Sequence, residues 1–456
     1  MDRRSFIEGA VGFGLGGVVG SALLGGCAGR PRRPRGKLQL ACVGIGGIGK
    51  HDLQNFREHA DVDVAVLCDV DSTILEARAK DLPAVRKYAD WREMLSKEGD
   101  RIDAVHIAVP DHMHAPIAMA AIRAGKHVYL QKPMCHDVAE VRALTSAAAR
   151  AGVVTQLGTQ HASGIGDRMA VAHLRNGVIG KLKHVYMSAN RPGAIERYRL
   201  VGPRPEKGEA PPPNLNWDLW LGTAPRREYA PKIYHPMLWR SWQDFGTGWS
   251  GDIGCHIFSA FWMAYAPGPP KSVVAEVQES WKNDPARLAE TWPQSNHITW
   301  EFSGNARTDG DFKVEWFDGL FFPPKEIQAM YPYPGTTYPG EAAMFVGTEG
   351  ALLLPHQSGP LLLPREKFSS VEQPKVEPRN HYHYFVDGCF GRVKTESDFA
   401  VTGPMSEAVV LGTVAVRMPG RSLEWDPKGM GIPNCREAER FLRRKYRDGW
   451  GSKGLG

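Results

Sequence analysis

The sequence has no CxxC pair and no regular cysteine spacing: its seven cysteines, at 27, 42, 68, 135, 255, 389 and 435, are scattered. That distribution offers neither a disulfide framework nor a cysteine-based zinc site. Repeats of fixed period and low-complexity tracts are missing too, which excludes fibrous folds although glycine (50) and proline (34) are frequent. Basic residues do not cluster on any foldable segment. Of the formal charge of +6, five units come from Arg30, Arg32, Arg33, Arg35 and Lys37, in a proline-broken stretch without acids; no nucleic-acid footprint is expected. His112 with His114, and His381 with His383, lack carboxylate or cysteine partners at ligand spacing, so no metal is expected. The uncharged run Gly9 to Leu24 is too short and glycine-rich for a good membrane span.

What is there begins with an address. Arg3-Arg4-Ser5-Phe6-Ile7 is a twin-arginine start ahead of that uncharged run. Leu24-Gly25-Gly26-Cys27 resembles a bacterial lipobox, in which Cys27 is lipidated and becomes the first mature residue; an ordinary signal cleaved nearby is the alternative. On this reading residues 1–26 are a signal and 27–36 a basic tether suited to anionic lipid headgroups. The protein is then exported to the periplasm or cell envelope and meets the membrane surface only through its lipid anchor. Twin-arginine export carries folded protein, so buried free thiols, as expected at Cys42 and Cys68 in apolar runs, are compatible with it.

A chain of 456 residues, 42% hydrophobic and 23% charged, buries a large core and is expected to form two domains. From Lys37 strand-like and helix-like text alternates. Strand-like runs at 38–43, 62–67, 104–109, 128–130 and 153–157 are separated by helical stretches such as 115–124 and 138–151, the signature of a doubly wound parallel sheet. After about residue 160 the character changes. A helix over 166–176 and a strand at 184–189 precede a proline-, tryptophan- and arginine-rich stretch, and segments at 295–303, 312–317 and 351–354 read as a large, mainly antiparallel sheet. A last helix is expected over 435–447. The expected division is an α/β Rossmann domain over 37–160 and a second α/β domain over 161–456.

Gly44-Ile45-Gly46-Gly47-Ile48-Gly49 matches GxGxxG directly after a strand-like run and opens a helix-like one. The first glycine allows the tight turn, the second lets the backbone approach a pyrophosphate, the third permits close helix packing, and the helix N-terminus offers N–H groups to phosphate. Asp69 stands 20 residues after Gly49, beyond the run ending Leu67-Cys68, where a carboxylate grips a ribose 2'-hydroxyl. Its competing role is to cap a helix. A carboxylate repels a 2'-phosphate, so NAD is favoured over NADP.

Further motifs follow in order: Val109-Pro110-Asp111-His112-Met113-His114, Gln131-Lys132-Pro133, Gly158-Thr159-Gln160, Trp217-Asp218-Leu219-Trp220-Leu221-Gly222, Asp252-Ile253-Gly254-Cys255-His256 and Gly347-Thr348-Glu349-Gly350. With the glycine loop they resemble the glucose-fructose oxidoreductase and inositol dehydrogenase family, Gfo/Idh/MocA, over nearly the whole mature chain. The resemblance implies hydride exchange between a nicotinamide and a sugar or polyol, and a homo-oligomer built through the open sheet. It gives Lys132 the job of orienting the reacting hydroxyl and the nicotinamide, with Pro110, His114 and Gln131 beside the cofactor. The family usually has Glu-Lys-Pro where this chain has Gln131-Lys132-Pro133.

Asp252 and His256 are spaced i, i+4 and share a face if helical. Imidazole titrates nearest neutrality, so His256 is the expected proton acceptor or donor, with Asp252 orienting it or gripping a substrate hydroxyl. His114, Gln160, His161, Tyr198, Trp239 and Arg240 are candidates for lining a polyhydroxylated substrate.

Export constrains the cofactor. At an association rate near 10⁶ per molar per second, a dissociation constant of about 1 μM means loss within about a second, so NAD must be held tightly and recycled in place. Either a second substrate reoxidises it, or the hydride returns to the same sugar after elimination, as in NAD-dependent glycoside hydrolases. A non-catalytic sugar-binding lipoprotein is the third alternative.

Overall fold

The computed structural model describes residues 33–190, 201–333, 335–451 and 454–455. The expected signal, Cys27 and Tyr198 lie outside the described residues.

Six strands, β1 (Leu38–Val43), β2 (Val62–Cys68), β3 (Arg86–Tyr88), β4 (Ala104–Ile107), β5 (His127–Leu130) and β6 (Thr155–Leu157), form one parallel sheet in the order β3-β2-β1-β4-β5-β6. Near-continuous apolar runs such as Leu38–Val43 are what strands covered on both faces require. The strand order reverses between β1 and β4, and the crevice at their carboxyl ends is the ligand edge of such a sheet. The covering helices are α1 (Gly47–Arg57), α2 (Ser72–Ala79), α3 (Trp91–Glu98), α4 (His114–Arg123) and α5 (Val138–Ala151). The Asp71 carboxylate caps α2 by accepting the Thr73 and Ile74 N–H groups, Asp137 caps α5, and Gly152 at φ 64° ends α5.

After α6 (Ile165–Arg175) comes a second sheet of eight strands: β7 (Leu182–Ala189), β8 (Pro270–Val277), β9 (Asn296–Phe302), β10 (Thr308–Asp318), β11 (Glu341–Gly347), β12 (Ala351–Pro355), β13 (Leu361–Leu363) and β14 (Leu423–Glu424). Their order is β13-β12-β11-β7-β10-β9-β8-β14, and all neighbours are antiparallel except β7 and β10.

Two long helices fill the space beside this sheet. The helix Gly248–Tyr265 is buried nearly all round, as a central core helix must be. The helix Phe399–Val416 is apolar and long enough to cross a membrane, but it is a core element here, 78% buried. The Trp300 indole N–H donates to the Ala408 carbonyl at 2.8 Å, and a Cβ on Gly412 would come within 2.4 Å of the Trp300 ring.

The expected boundary at residue 160 falls in the 3-10 turn Gln160–Ser163. The far end of the chain nevertheless completes the first unit: the helix His381–Cys389 packs Tyr382, Phe385, Val386 and Cys389 into the same core as Phe56 and Tyr129. The expected final helix over 435–447 is not regular. A 3-10 run covers Arg436–Phe441 and the chain then extends. Extension is what lets Arg444 Nη2 and the Tyr446 hydroxyl both reach the buried Glu140 Oε1, each at 2.6 Å. The six cysteines among the described residues are free and buried.

Candidate active site

The glycine turn leaves β1 and enters α1. Gly44 has φ +76°, and a Cβ there would lie 2.5 Å from the Ala108 carbonyl oxygen; a Cβ on Gly49 would lie 2.1 Å from the Gly44 oxygen. These two glycines make the turn itself possible. Over Gly46 the nearest atom is the flexible end of Ile74 at 3.1 Å, and over Gly47 nothing lies within 4 Å. The side chain of Ile48 is exposed. Gly46 caps α1 without any side-chain hydrogen bond, and the first turn of α1 carries no acid. A helix start with open N–H groups and no carboxylate fits a pyrophosphate.

Asp69, at the end of β2, accepts the Ile45 N–H at 2.9 Å on one oxygen and the Asp71 N–H at 3.0 Å on the other. Burial pushes its carboxyl up, opposed by these backbone donors. Since Asp71 caps α2, Asp69 is left facing the glycine turn, as the ribose role needs. Gly44, Gly46, Gly47, Gly49 and Asp69 therefore fit the adenosine side of NAD. Pro110 opens the 3-10 turn after β4. His114 is buried, with Nδ1 2.6 Å from the Pro133 carbonyl and Nε2 2.9 Å from the Val109 carbonyl; burial lowers it to about 4. It is a strut between two loops rather than substrate lining.

Lys132 lies just past β5. Its Nζ donates to Asp252 Oδ1 at 2.5 Å, and Arg240 Nε lies 3.5 Å from Asp252 Oδ2. A cation from the first unit and a carboxylate from the second thus meet in a mostly buried pair. Asp111 Oδ2 accepts both the N–H (3.0 Å) and the hydroxyl (2.9 Å) of Thr247, which precedes the helix Gly248–Tyr265. Burial and the nearby Asp252 hold the Asp111 carboxyl above its ordinary range, against Arg240, Thr247 and Lys132.

His256 is one turn beyond Asp252. Burial, followed by Lys132, His356 and His161, holds it well below the ordinary histidine range. It is a neutral imidazole at pH 7. Its Nδ1 is buried with no hydrogen-bond partner among the described residues. His161 joins this site, its ring centroid 5.4 Å from that of His256. Arg240 stacks over Trp239 at 4.1 Å, and Trp239 is itself buried in an aromatic satellite core with Trp217, Trp220, Trp242 and Phe245. Trp239 therefore holds Arg240 and is not an open sugar platform.

Gln131 and Gln160 belong to a buried network behind Lys132. Gln131 Nε2 donates to Asp52 Oδ2 at 2.7 Å, and Gln131 Oε1 accepts the Lys132 N–H at 3.2 Å. Asp52 also receives the Tyr382 hydroxyl at 2.7 Å, with His106 Nε2 at 2.9 Å, while Gln160 Nε2 donates to Tyr382 at 3.1 Å.

Sequence reasoning missed Asp52, Asp111, Tyr382 and His356 as parts of this assembly. Asp52 had a signal: with Gly49, Leu53 and Phe56 it forms the inward stripe of α1. His356, just past β12, had none.

A model described as "Oxidoreductase family, NAD-binding Rossmann fold" matches residues 38–159, and one described as "Oxidoreductase family, C-terminal alpha/beta domain" matches 168–284. Both are Gfo/Idh/MocA models, and together they span more than half of the chain. The chain belongs to the Gfo/Idh/MocA oxidoreductase family. Its first unit is that family's NAD-binding Rossmann fold.

Among curated relatives the chain is similar to a glycosyl hydrolase family 109 protein of Shewanella pealeana, 24% identical over 40% of this chain and 45% of that protein. It also resembles D-apiose dehydrogenase of Paraburkholderia graminis, 34% identical over 25% of this chain and 30% of that enzyme. The chain thus spans less than half the length of these relatives. Two solved structures share the fold. Aldose-aldose oxidoreductase of Caulobacter crescentus complexed with glycerol has TM-score 0.55 and 17% identity, covering 85% of this chain and 99% of that one. The WlbA dehydrogenase of Bordetella pertussis with NADH and UDP-GlcNAcA has TM-score 0.57 and 16% identity, covering 86% and 99%.

Proposed function

We propose that this Gfo/Idh/MocA oxidoreductase exchanges hydride between NAD and a hydroxyl or keto carbon of a sugar or polyol, at Lys132, Asp252 and His256. The observation that carries the reading is the 2.5 Å pair between Lys132 Nζ and Asp252 Oδ1, which joins the ligand edge of the Rossmann sheet to the helix that bears His256. Bound NAD supplies the hydride acceptor. Oxidation of a carbinol also releases a proton from oxygen, and a neutral, buried His256 imidazole is able to take it. The Lys132 ammonium orients the same oxygen and steadies its developing negative charge. Asp252 fixes Lys132, and Arg240 in turn braces Asp252.

Sugar-related relatives support the substrate class. The family 109 match supports a second reading, in which transient oxidation of a sugar leads to glycoside cleavage and the hydride returns. Export by the twin-arginine route, lipidation at Cys27, tight retention of NAD and self-association belong to the same proposal and rest on the sequence and on the family resemblance.

Purified protein loaded with NAD and offered a panel of aldoses, polyols and glycosides tests the reading. Reduced nicotinamide should form with at least one of them, or a glycoside should be consumed without net reduction, and Lys132→Met should abolish either. A protein that binds NAD and sugar yet performs neither reaction is the binding-only alternative.

A further inference from the structure

Three imidazoles from distant parts of the chain converge beside Lys132. His161 comes from the turn after β6, His256 from the long core helix, and His356 from the residue following β12. Their ring centroids are 5.4 Å apart for His161 and His256, 4.3 Å for His161 and His356, and 5.5 Å for His256 and His356. His161 and His356 are half-buried and His256 is buried. The Nδ1 of His256 is buried without a hydrogen-bond partner among the described residues.

We propose that the substrate carries a carboxylate, as a uronic or aldonic acid, and that His161 and His356, 4.3 Å apart, receive it while the neighbouring His256 stays neutral for the carbinol proton; the inference deepens the sugar reading above and rests on it.

A neutral hydroxyl needs one donor and one acceptor and is served by a single imidazole. Three imidazoles crowded against an ammonium serve it no better and have a cost, because every proton placed among them is repelled. Burial, Lys132, His356, His161 and His381 all act to keep His256 neutral, and burial and Lys132 do the same to His161. The charged groups around the trio are otherwise engaged. Lys132 and Arg240 face Asp252, Asp111 is bonded to Thr247, and the His381 ring lies between the Ser163 hydroxyl and the Leu157 carbonyl.

An acceptor-only anion relieves this repulsion. An opposite charge within about 4–6 Å raises the pKa of a neighbouring imidazole by about 1–3 units, so a carboxylate seated between His161 and His356 brings a proton to that pair. The result is a charge-assisted pair that a neutral sugar cannot form.

The test is titration calorimetry of the full-length, NAD-loaded protein with D-glucuronate, D-galacturonate and D-gluconate against D-glucose, D-galactose and sorbitol. Each titration is run in two buffers of different ionisation enthalpy. At least one acid should bind about tenfold or more tighter than its neutral parent with uptake of a proton, and its affinity should fall as pH rises. His356→Gln and His161→Gln should each lose the proton uptake and most of the preference, with retained NAD reporting that the variant is folded. Equal binding of acids and neutral parents without proton uptake overturns the proposal, as does acid binding that appears only on adding zinc. Reduction of the nicotinamide by a neutral sugar, or consumption of a glycoside, in that case leaves the oxidoreductase reading standing, whereas no reaction with any member of the aldose, polyol and glycoside panel removes both.

Discussion

Gln131 Nε2 and Asp52 Oδ2, 79 positions apart in sequence, meet at 2.7 Å in the interior behind Lys132. The amide serves both sides: it donates to the carboxylate and, through Oε1, accepts the Lys132 N–H. The usual family glutamate at this position would set two buried carboxylates against each other, so the glutamine and Asp52 form a matched pair.

Gln131→Glu should therefore destabilise the fold by about 3 kcal/mol at pH 8. The two acids would share one proton, which raises a folded-state carboxyl above its unfolded value near 4. The penalty is then full above the raised value and fades as pH falls through it. Denaturant melts at pH 5 and pH 8 should show a smaller loss at pH 5; an equal loss at both contradicts the pairing.

Tyr382→Phe removes one donor from the buried Asp52. It should cost about 1–3 kcal/mol in the same melts. Because the Tyr382 hydroxyl reaches Asp52 in α1, the loss should appear in the NAD-binding unit, as faster amide exchange in α1.

The glycines divide into two classes. Gly49→Ala places a Cβ 2.1 Å from the Gly44 oxygen and should abolish NADH binding in fluorescence titrations. Gly47→Ala is strained by its φ of +43° but meets no protein atom, and should weaken NADH binding less. Asp69→Asn should lower affinity for NAD about tenfold or more and narrow its advantage over NADP, since the acidic charge that excludes a 2'-phosphate is gone.

His256 is held below the ordinary histidine range by burial first and Lys132 next. A group whose pKa is depressed stays neutral to lower pH. The acid limb of kcat/KM attributable to it should lie below about pH 6.5, the unperturbed value. His256→Ala should keep NAD bound while losing about 10²–10⁴-fold in turnover. An acid limb at or above pH 6.5 contradicts the assignment.

Much of this was legible in the sequence for physical reasons. The parallel sheet announced itself through apolar runs spaced by helical text, of which the stretch 138–151 is α5. The glycine turn and Asp69 were readable because tight backbone approach admits few residue types. The final segment misled because its charged residues and Phe441, Leu442 and Tyr446 read as two sides of a helix, whereas Arg444 and Tyr446 are both drawn out to Glu140. Trp239 looked like sugar lining and is core. His356 and Tyr382 were invisible because only long-range folding brings them to His256 and Asp52, and no local pattern encodes such contacts.

The central claim is hydride exchange at Lys132 and His256, and isotope transfer reads it directly when the reaction is quenched in cold solvent during the first turnover, while the deuteride still sits on the ring. Protein loaded with unlabelled NAD is incubated with perdeuterated sugars, and the released nucleotide is weighed by mass spectrometry. Deuterium in the nicotinamide ring, absent with Lys132→Met, is the result this account predicts. Nicotinamide that stays unlabelled with every sugar, in protein that holds both ligands, would contradict it.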